Sequence, residues 1–459
     1  MSEREFDVIV VGAGPAGEVL AGRVAEAGHE TAIVEARLVG GECSFYACMP
    51  SKALLRPAEL LREAGRVPGV REAVTGALDP GAVLRRRDEV IHDLDDSVQL
   101  PWLNDRAITL VRGTGRLEGE RRVRVGDELL HARRAVVLAT GSVAAMPPIP
   151  GLADARPWTN REATTSAVVP RRLLVLGGGV VGVELAQAYA SLGSEVTLVE
   201  GAERLIAREE PVASDEVATA LRAAGVEVLL DARATAVARP QAGGDVTLTL
   251  EGGRELTGDE LLVAVGRRPA TIDLGVESVG LEPGAPIAVD DRMRVAGHPW
   301  LYAIGDVNGR SLLTHMGKYQ ARVASLAIDG DEEARATQDG AGSPRVIFTD
   351  PQVAAVGLTA AAARDAGIAV RTVTHPSAGT AGASYVGRNT AGTCTLVVDG
   401  ERDVVVGATF IGFEVAEWLH AATIAIVGEV PIARLWDCAP AFPTRSEVWL
   451  RLLEHYEAG

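Results

Sequence analysis

The sequence predicts an α/β fold containing two Rossmann-like dinucleotide-binding domains, and two observations carry this. A strand, glycine turn, helix and second strand occur twice, each copy ending in a glutamate 23 positions after its first glycine. The length of 459 residues is also too great for one core, since about 150 residues per domain suggests about three domains.

In the first copy the apolar run Val8-Ile9-Val10-Val11 leads into Gly12-Ala13-Gly14-Pro15-Ala16-Gly17 and an alanine-rich helix. Gly12 allows the tight turn, Gly14 lets the backbone approach a pyrophosphate, and Gly17 lets helix and strand pack closely. The helix N-terminus then offers its N–H groups to phosphate. The next strand, Thr31-Ala32-Ile33-Val34, ends in Glu35, placed to accept from a ribose hydroxyl.

The second copy reads Leu173-Leu174-Val175-Leu176, then Gly177-Gly178-Gly179-Val180-Val181-Gly182, with Val196-Thr197-Leu198-Val199 ending in Glu200. A lone G-x-G-x-x-G is a weak signal in a chain with 51 glycines. Two copies with strand, helix and acidic terminus in register are a strong one, and imply two different dinucleotides. A carboxylate at Glu200 accepts from a free 2′-hydroxyl and repels a 2′-phosphate, which favours NAD over NADP. Arg204 and Arg208 stand close by in sequence and act against that preference.

Apolar residues form 47% of the chain and charged residues 23%, as in a globular protein able to bury a large core. The net charge of −17 repels phosphate backbones and anionic lipid, so neither nucleic acid nor a membrane surface is an expected partner. Arg85-Arg86-Arg87 lies beside Asp88-Glu89 and reads as a solvated helix face. The charged start Ser2-Glu3-Arg4-Glu5-Phe6-Asp7 lacks a signal-like apolar stretch. No apolar run approaches the roughly 18 residues of a membrane span, and a cytoplasmic location is expected.

Four cysteines in the chain are too few for a disulfide scaffold. Two of them fall in Gly40-Gly41-Glu42-Cys43-Ser44-Phe45-Tyr46-Ala47-Cys48-Met49-Pro50-Ser51-Lys52, ahead of a helix-forming run. In a regular α-helix this spacing puts the Cα atoms about 8 to 9 Å apart on nearly opposite faces, beyond the roughly 7 Å a disulfide spans. If the two bridge, the helix start must be distorted; such a strained, accessible bridge cycles readily between oxidised and reduced states. The alternatives are a pair of buried, unreactive thiols or half of a metal site. Zinc prefers closer thiols and two further ligands, whereas Cys394 and Cys438 are distant and the histidines scattered, so no metal site is expected.

With these motifs the sequence resembles the flavoprotein disulfide reductases, the group of dihydrolipoamide dehydrogenase, glutathione reductase and mercuric reductase. The likeness spans essentially the whole chain. It includes Ala139-Thr140-Gly141, Val265-Gly266-Arg267-Arg268-Pro269, Tyr302-Ala303-Ile304-Gly305-Asp306, and Phe348-Thr349-Asp350-Pro351-Gln352-Val353, which is similar to the start of the family's dimerisation domain. The resemblance implies FAD binding over 1–145 and again over 266–340, NAD(P) binding over 146–265, and a C-terminal α+β dimerisation domain over 341–459. It implies that Gly12, Gly14, Gly17 and Glu35 hold the adenosine diphosphate part of FAD, with Gly141 beside them and Asp306 on the ribityl chain. Gly177, Gly179, Gly182, Glu200 and Gly266 would serve the nicotinamide nucleotide. Lys52 and Glu184 would form the ion pair kept beside flavin N5, Cys48 would be the thiol facing the flavin, and Cys43 the interchange thiol of a redox-active Cys43–Cys48 disulfide.

One departure stands out. The dihydrolipoamide and glutathione branches end in H-P-T-x-S-E, whose histidine crosses the dimer interface as acid and base. This chain reads Ala441-Phe442-Pro443-Thr444-Arg445-Ser446-Glu447. Glu447 keeps the carboxylate, but Phe442 cannot carry a proton. Such assistance is worth about 100- to 10,000-fold, so dithiol oxidation is disfavoured; His420 and His455 are the candidate replacements by sequence proximity. The expected direction is therefore from nicotinamide to a small disulfide in a homodimer. A quinone or metal ion is the alternative acceptor, although mercuric reductases use a C-terminal cysteine pair and Cys438 has no cysteine neighbour. A non-catalytic redox sensor is the remaining reading. Glu42 is a second departure: its carboxylate would raise the Cys43 pKa if close and ionised.

Overall fold

The computed structural model describes residues 2–340, 342–388, 390 and 392–459; Met1 and Ala341, the first residues of the expected first and last domains, lie outside them. The chain forms two compact units. One gathers the described residues of 1–50, 86–145 and 266–340; the other gathers those of 51–85, 146–265 and 341–459.

In the first unit the strand Ser2–Val11 lies between Thr31–Glu35 and Glu128–Leu138, parallel to both. Thr109–Arg112 extends the sheet beyond Thr31–Glu35, and Leu301–Ala303 pairs with the end of Glu128–Leu138. The alternation of side chains along each strand divides the sheet between two cores. Val8, Val10, Ile33 and Val137 face one, and Ile9, Val11, Val34, Val136 and Leu138 the other. Burial on both faces explains the continuous apolar runs in the sequence. Since Ser2–Val11 is followed by a strand on one side and later by one on the other, its carboxyl end is a topological switch point, where such sheets bind ligands.

The second unit repeats the plan. Arg172–Leu176 lies between the parallel strands Glu195–Val199 and Glu260–Val263, with Glu227–Leu229 outside. A separate five-stranded antiparallel sheet runs in the order Arg345–Ile347, Gln352–Gly357, Val404–Gly412, Thr393–Asp399, Val370–Pro376. The helices Val415–Val427 and Val448–Ala458 pack on it through Leu419, Ala422, Leu452 and Leu453.

The arginine run corrects the sequence reading. Arg85 and Arg86 are exposed, but Arg87 is fully buried and donates to Asp88 Oδ1 at 2.7 Å. Successive helical residues stand about 100° apart, so the three arginines of Pro80–Val90 span about 200° and cannot share one face, and Arg87 is the one turned inward. Among the described residues no helix is long and apolar enough to cross a membrane.

Candidate active site

The two glycine turns are near copies of each other. Gly12 (φ 106°) and Gly177 (φ 110°) take up the left-handed conformation that ends each first strand. Gly14 and Gly179 are the N-caps of the helices Pro15–Glu26 and Val180–Ser191, neither capped by a side chain. A Cβ on either would meet nothing within 4 Å, whereas one on Gly17 or Gly182 would strike the carbonyl oxygen of Gly12 or Gly177. Each turn therefore presents uncapped helix N–H groups to open space behind a tightly closed floor, which fits a pyrophosphate.

Glu35 and Glu200 share one further device. Glu35 accepts from the N–H groups of Ala13 (2.8 Å) and Arg37 (2.7 Å). Glu200 accepts from Gly178 (2.5 Å) and Ala202 (2.8 Å). Each carboxylate thus ties the end of the second strand to its own glycine turn, with lone pairs left for a ribose. Arg204 is occupied elsewhere: its guanidinium donates to the carbonyls of Glu209 and Ala207 and to Ser214 Oγ.

Gly141 (φ 70°) and Gly266 (φ 127°) border open space. Next to them Ser142 Oγ donates to Asp306 Oδ2 at 2.5 Å, and Arg267 Nε donates to Ser142 Oγ at 2.7 Å. Burial pushes the Asp306 pKa up, opposed by the Ser142 hydrogen bond and the Arg267 charge. This carboxylate, linked to a hydroxyl and near a cation, fits a hydroxyl-rich chain.

The cysteines fall on two helical segments. Cys43 lies in Gly41–Phe45, the chain breaks at Tyr46 (φ −134°), and Cys48 begins the helix Cys48–Arg66. With the regular helix interrupted, the two thiols come into hydrogen-bond contact. That contact is the largest cause raising the Cys43 pKa; burial adds to it, while Thr314 and Lys318 oppose it. Cys48 Sγ is also hydrogen bonded to Thr314 Oγ1 at 3.5 Å.

In the second unit Lys52 Nζ donates to Glu184 Oε2 at 2.8 Å, with side-chain exposures of 34% and 4%. Glu184 Oε1 accepts the N–H of Phe348 at 2.9 Å, and the Lys52 ammonium stands 4.6 Å from the centre of the Phe348 ring. Phe348 therefore holds both members of the pair, one through its N–H and the other through its ring. Glu447 is buried and accepts the N–H of Gly382 at 3.0 Å. Phe442, by contrast, is 78% exposed.

His420 is exposed on Val415–Val427. His455 is hydrogen bonded to the Thr374 carbonyl at 2.8 Å and packs edge-on against His375. Cys394 is buried, which pushes its pKa up to about 12, and Cys438 is exposed. Among the described residues no group of three or more His, Cys, Asp or Glu could hold a metal ion. Sequence reasoning missed Thr314, Lys318, Ser142 and Phe348. The last two stand beside or within segments already singled out, whereas nothing local marked Thr314 or Lys318.

Comparisons with known proteins show the family of the chain. Residues 6–327 match the pyridine nucleotide-disulphide oxidoreductase family, and residues 343–452 match its dimerisation domain. A dihydrolipoyl dehydrogenase from Chlamydia muridarum is 31% identical over 451 residues, which span 97% of this chain and 95% of the relative. A mercuric reductase from Acidithiobacillus ferrooxidans is 34% identical over 446 residues, 95% of this chain and 79% of that protein. The solved Cu(II) complex of the HOCl-induced flavoprotein disulfide reductase RclA from Escherichia coli has a TM-score of 0.86 at 27% identity and covers 98% of this chain and 99% of its own. This chain belongs to the pyridine nucleotide-disulphide oxidoreductases, enzymes that use FAD and a pyridine nucleotide.

Proposed function

We propose that this enzyme draws electrons from NADH by way of FAD into the Cys43–Cys48 pair and delivers them to a small disulfide. The observation that carries the reading is the contact between the two thiols across the helix break at Tyr46. When bound, FAD supplies hydride acceptance from the nicotinamide and the electron pair that reopens the disulfide. The Cys43 thiolate attacks one sulfur of the acceptor, forming a mixed disulfide and releasing one thiol. The Cys48 thiolate then attacks the Cys43 sulfur, closes the Cys43–Cys48 bond and releases the second thiol. Two electrons leave the dithiol, and its two protons leave with the two product thiols.

In this reading Gly12, Gly14, Gly17, Glu35, Gly141 and Asp306 hold FAD. Gly177, Gly179, Gly182, Glu200 and Gly266 hold the nicotinamide nucleotide, and Lys52 with Glu184 serves the hydride step. The FAD domain comprises 1–145 and 266–340, the NAD domain 146–265 and the interface domain 341–459. The dimerisation-domain match supports a homodimer, and in this reading the Phe442–Glu447 segment of one subunit faces the thiols of the other.

Transfer to metal ions is the second reading. It is favoured by the mercuric reductase relative and by the Cu(II) complex of the structural neighbour. Steady-state NADH turnover with a panel of disulfides, quinones and metal ions separates the two. Turnover confined to metal ions or quinones contradicts the disulfide reading, and no turnover with any acceptor contradicts both.

NADH is the favoured donor because Glu200 is fixed by two backbone N–H groups and Arg204 is engaged with carbonyls. Glu200→Gln removes the charge at nearly constant shape. We expect it to shift the NADPH-to-NADH ratio of kcat/KM upward by about tenfold, or about 1.4 kcal/mol. A wild type that already prefers NADPH would contradict the assignment.

A further inference from the structure

Asp306 is carried by the short helical turn Gly305–Asn308, which opens with Gly305 at φ 73°. The turn lies against two longer helices. A Cβ on Gly317 of the helix Thr314–Ile328 would lie 3.1 Å from the Cβ of Ala16, in the first turn of Pro15–Glu26, and 3.3 Å from the Gly305 Cα. The backbone next to Asp306 is thus wedged between Thr314–Ile328 and the helix that follows the first glycine turn.

From the helix Thr314–Ile328, fully buried Gln320 reaches into this turn. Its Oε1 accepts from the Gly305 N–H at 2.7 Å and from Asn308 Nδ2 at 2.9 Å, and its Nε2 donates to Asp339 Oδ2 at 3.0 Å. The Asp339 side chain has no exposed surface and is gripped by Arg310, with Nε 2.7 Å from Oδ2 and Nη2 2.8 Å from Oδ1. Asn308 closes the network, accepting the Arg310 N–H on Oδ1 at 3.0 Å and donating to the Ala303 carbonyl at 3.1 Å. A backbone N–H can only donate and a carboxylate only accept, so position 320 needs an acceptor on one side and a donor on the other. An amide of this length supplies both.

We propose that Gln320 is a positioning residue for FAD, setting the place of the Asp306 carboxylate through the Gly305 N–H and the Asn308 amide. The inference rests on the assignment of Asp306 to FAD made above. Without the Gln320 amide, the Gly305 N–H, Asn308 and Asp339 each lose a partner in a buried place, and the turn must shift to recover one. The carboxylate then moves relative to the N–H groups of Pro15–Glu26, and the two contacts with one cofactor fall out of register. Ser142 holds Asp306 through its side chain, whereas Gln320 holds it through the backbone.

The test is FAD retention by the purified holoenzyme, read as the ratio of free to bound flavin on serial dilution. Gln320→Met should raise the FAD Kd about tenfold. Asp306→Ala should raise it at least as much, and Gln320→Met added to Asp306→Ala should change it by less than about twofold, because no carboxylate is left to place. Gln320→Glu sets a second carboxylate against Asp339 and should also weaken retention; Asp339→Asn in the same chain exchanges donor and acceptor and should restore it. An unchanged Kd in both Gln320 variants overturns the proposal. So do effects that multiply in the Gln320→Met, Asp306→Ala double variant, which would make general loosening the cause. Should Gln320→Met yield no soluble protein, the Gln320→Glu pair decides, and failure of Asp339→Asn to restore retention overturns the proposal. Loss of FAD in Asp306→Ala with full retention in the Gln320 variants removes this inference alone. Full retention in Asp306→Ala removes the assignment of Asp306 to FAD, and this inference with it.

Discussion

Cys48→Ser is expected to lower NADH-driven turnover of a disulfide acceptor on the order of a thousandfold or more, the scale of losing a covalent nucleophile, while FAD is still bound and still bleached by NADH. A serine hydroxyl preserves shape and the hydrogen bond to Thr314, so stability should change little. It cannot form the bond to the Cys43 sulfur whose two-electron reduction to a pair of thiols stores the electrons. Anaerobic NADH titration should give a long-wavelength absorption band in wild type and none in the variant. Disulfide turnover within tenfold of wild type in Cys48→Ser would sink the relay. Persistent metal-ion turnover alongside lost disulfide turnover would instead show that metal ions take electrons by a route that avoids the thiols.

Gly17→Val is expected to yield protein with FAD affinity lowered by at least about a hundredfold, or about 2.7 kcal/mol. The new Cβ would collide with the Gly12 carbonyl oxygen. Gly12 cannot easily retreat, because its own Cβ position lies against the Ala139 carbonyl and its φ is 106°. The helix must then move away from the strand, displacing the N–H groups that face the pyrophosphate, and overpacking of this kind costs about 1 to 3 kcal/mol in stability as well. Flavin-to-protein ratio and FAD titration of the stripped protein report the loss. The matching change Gly182→Val should instead leave flavin content intact and raise the KM for NADH. Stoichiometric flavin in purified Gly17→Val would refute the role assigned to that turn.

Both expectations rest on motifs that could be read directly. The G-x-G-x-x-G turns were legible because each residue answers a local demand: a positive φ at Gly12 and Gly177, and close packing at Gly17 and Gly182. The glutamates at 35 and 200 were legible as strand ends, but their bonds to the glycine turns were not, since the partner N–H lies 22 positions back in the chain. The Arg85–Arg87 run was misread because composition signals charge, whereas the helical period decides which side chain turns inward.

Residue type at short separation was enough to read the two glycine-turn units, the dithiol spacing and the loss of a proton-carrying side chain at Phe442. It took the three-dimensional fold to show that a helix break at Tyr46 lets the two thiols meet, that Phe348 steadies the Lys52–Glu184 pair, and that Thr314 reaches Cys48 from 266 residues away in the chain. The physical reason is that charge and hydrogen bonding act over a few ångströms of space, and the fold, not chain order, sets those distances.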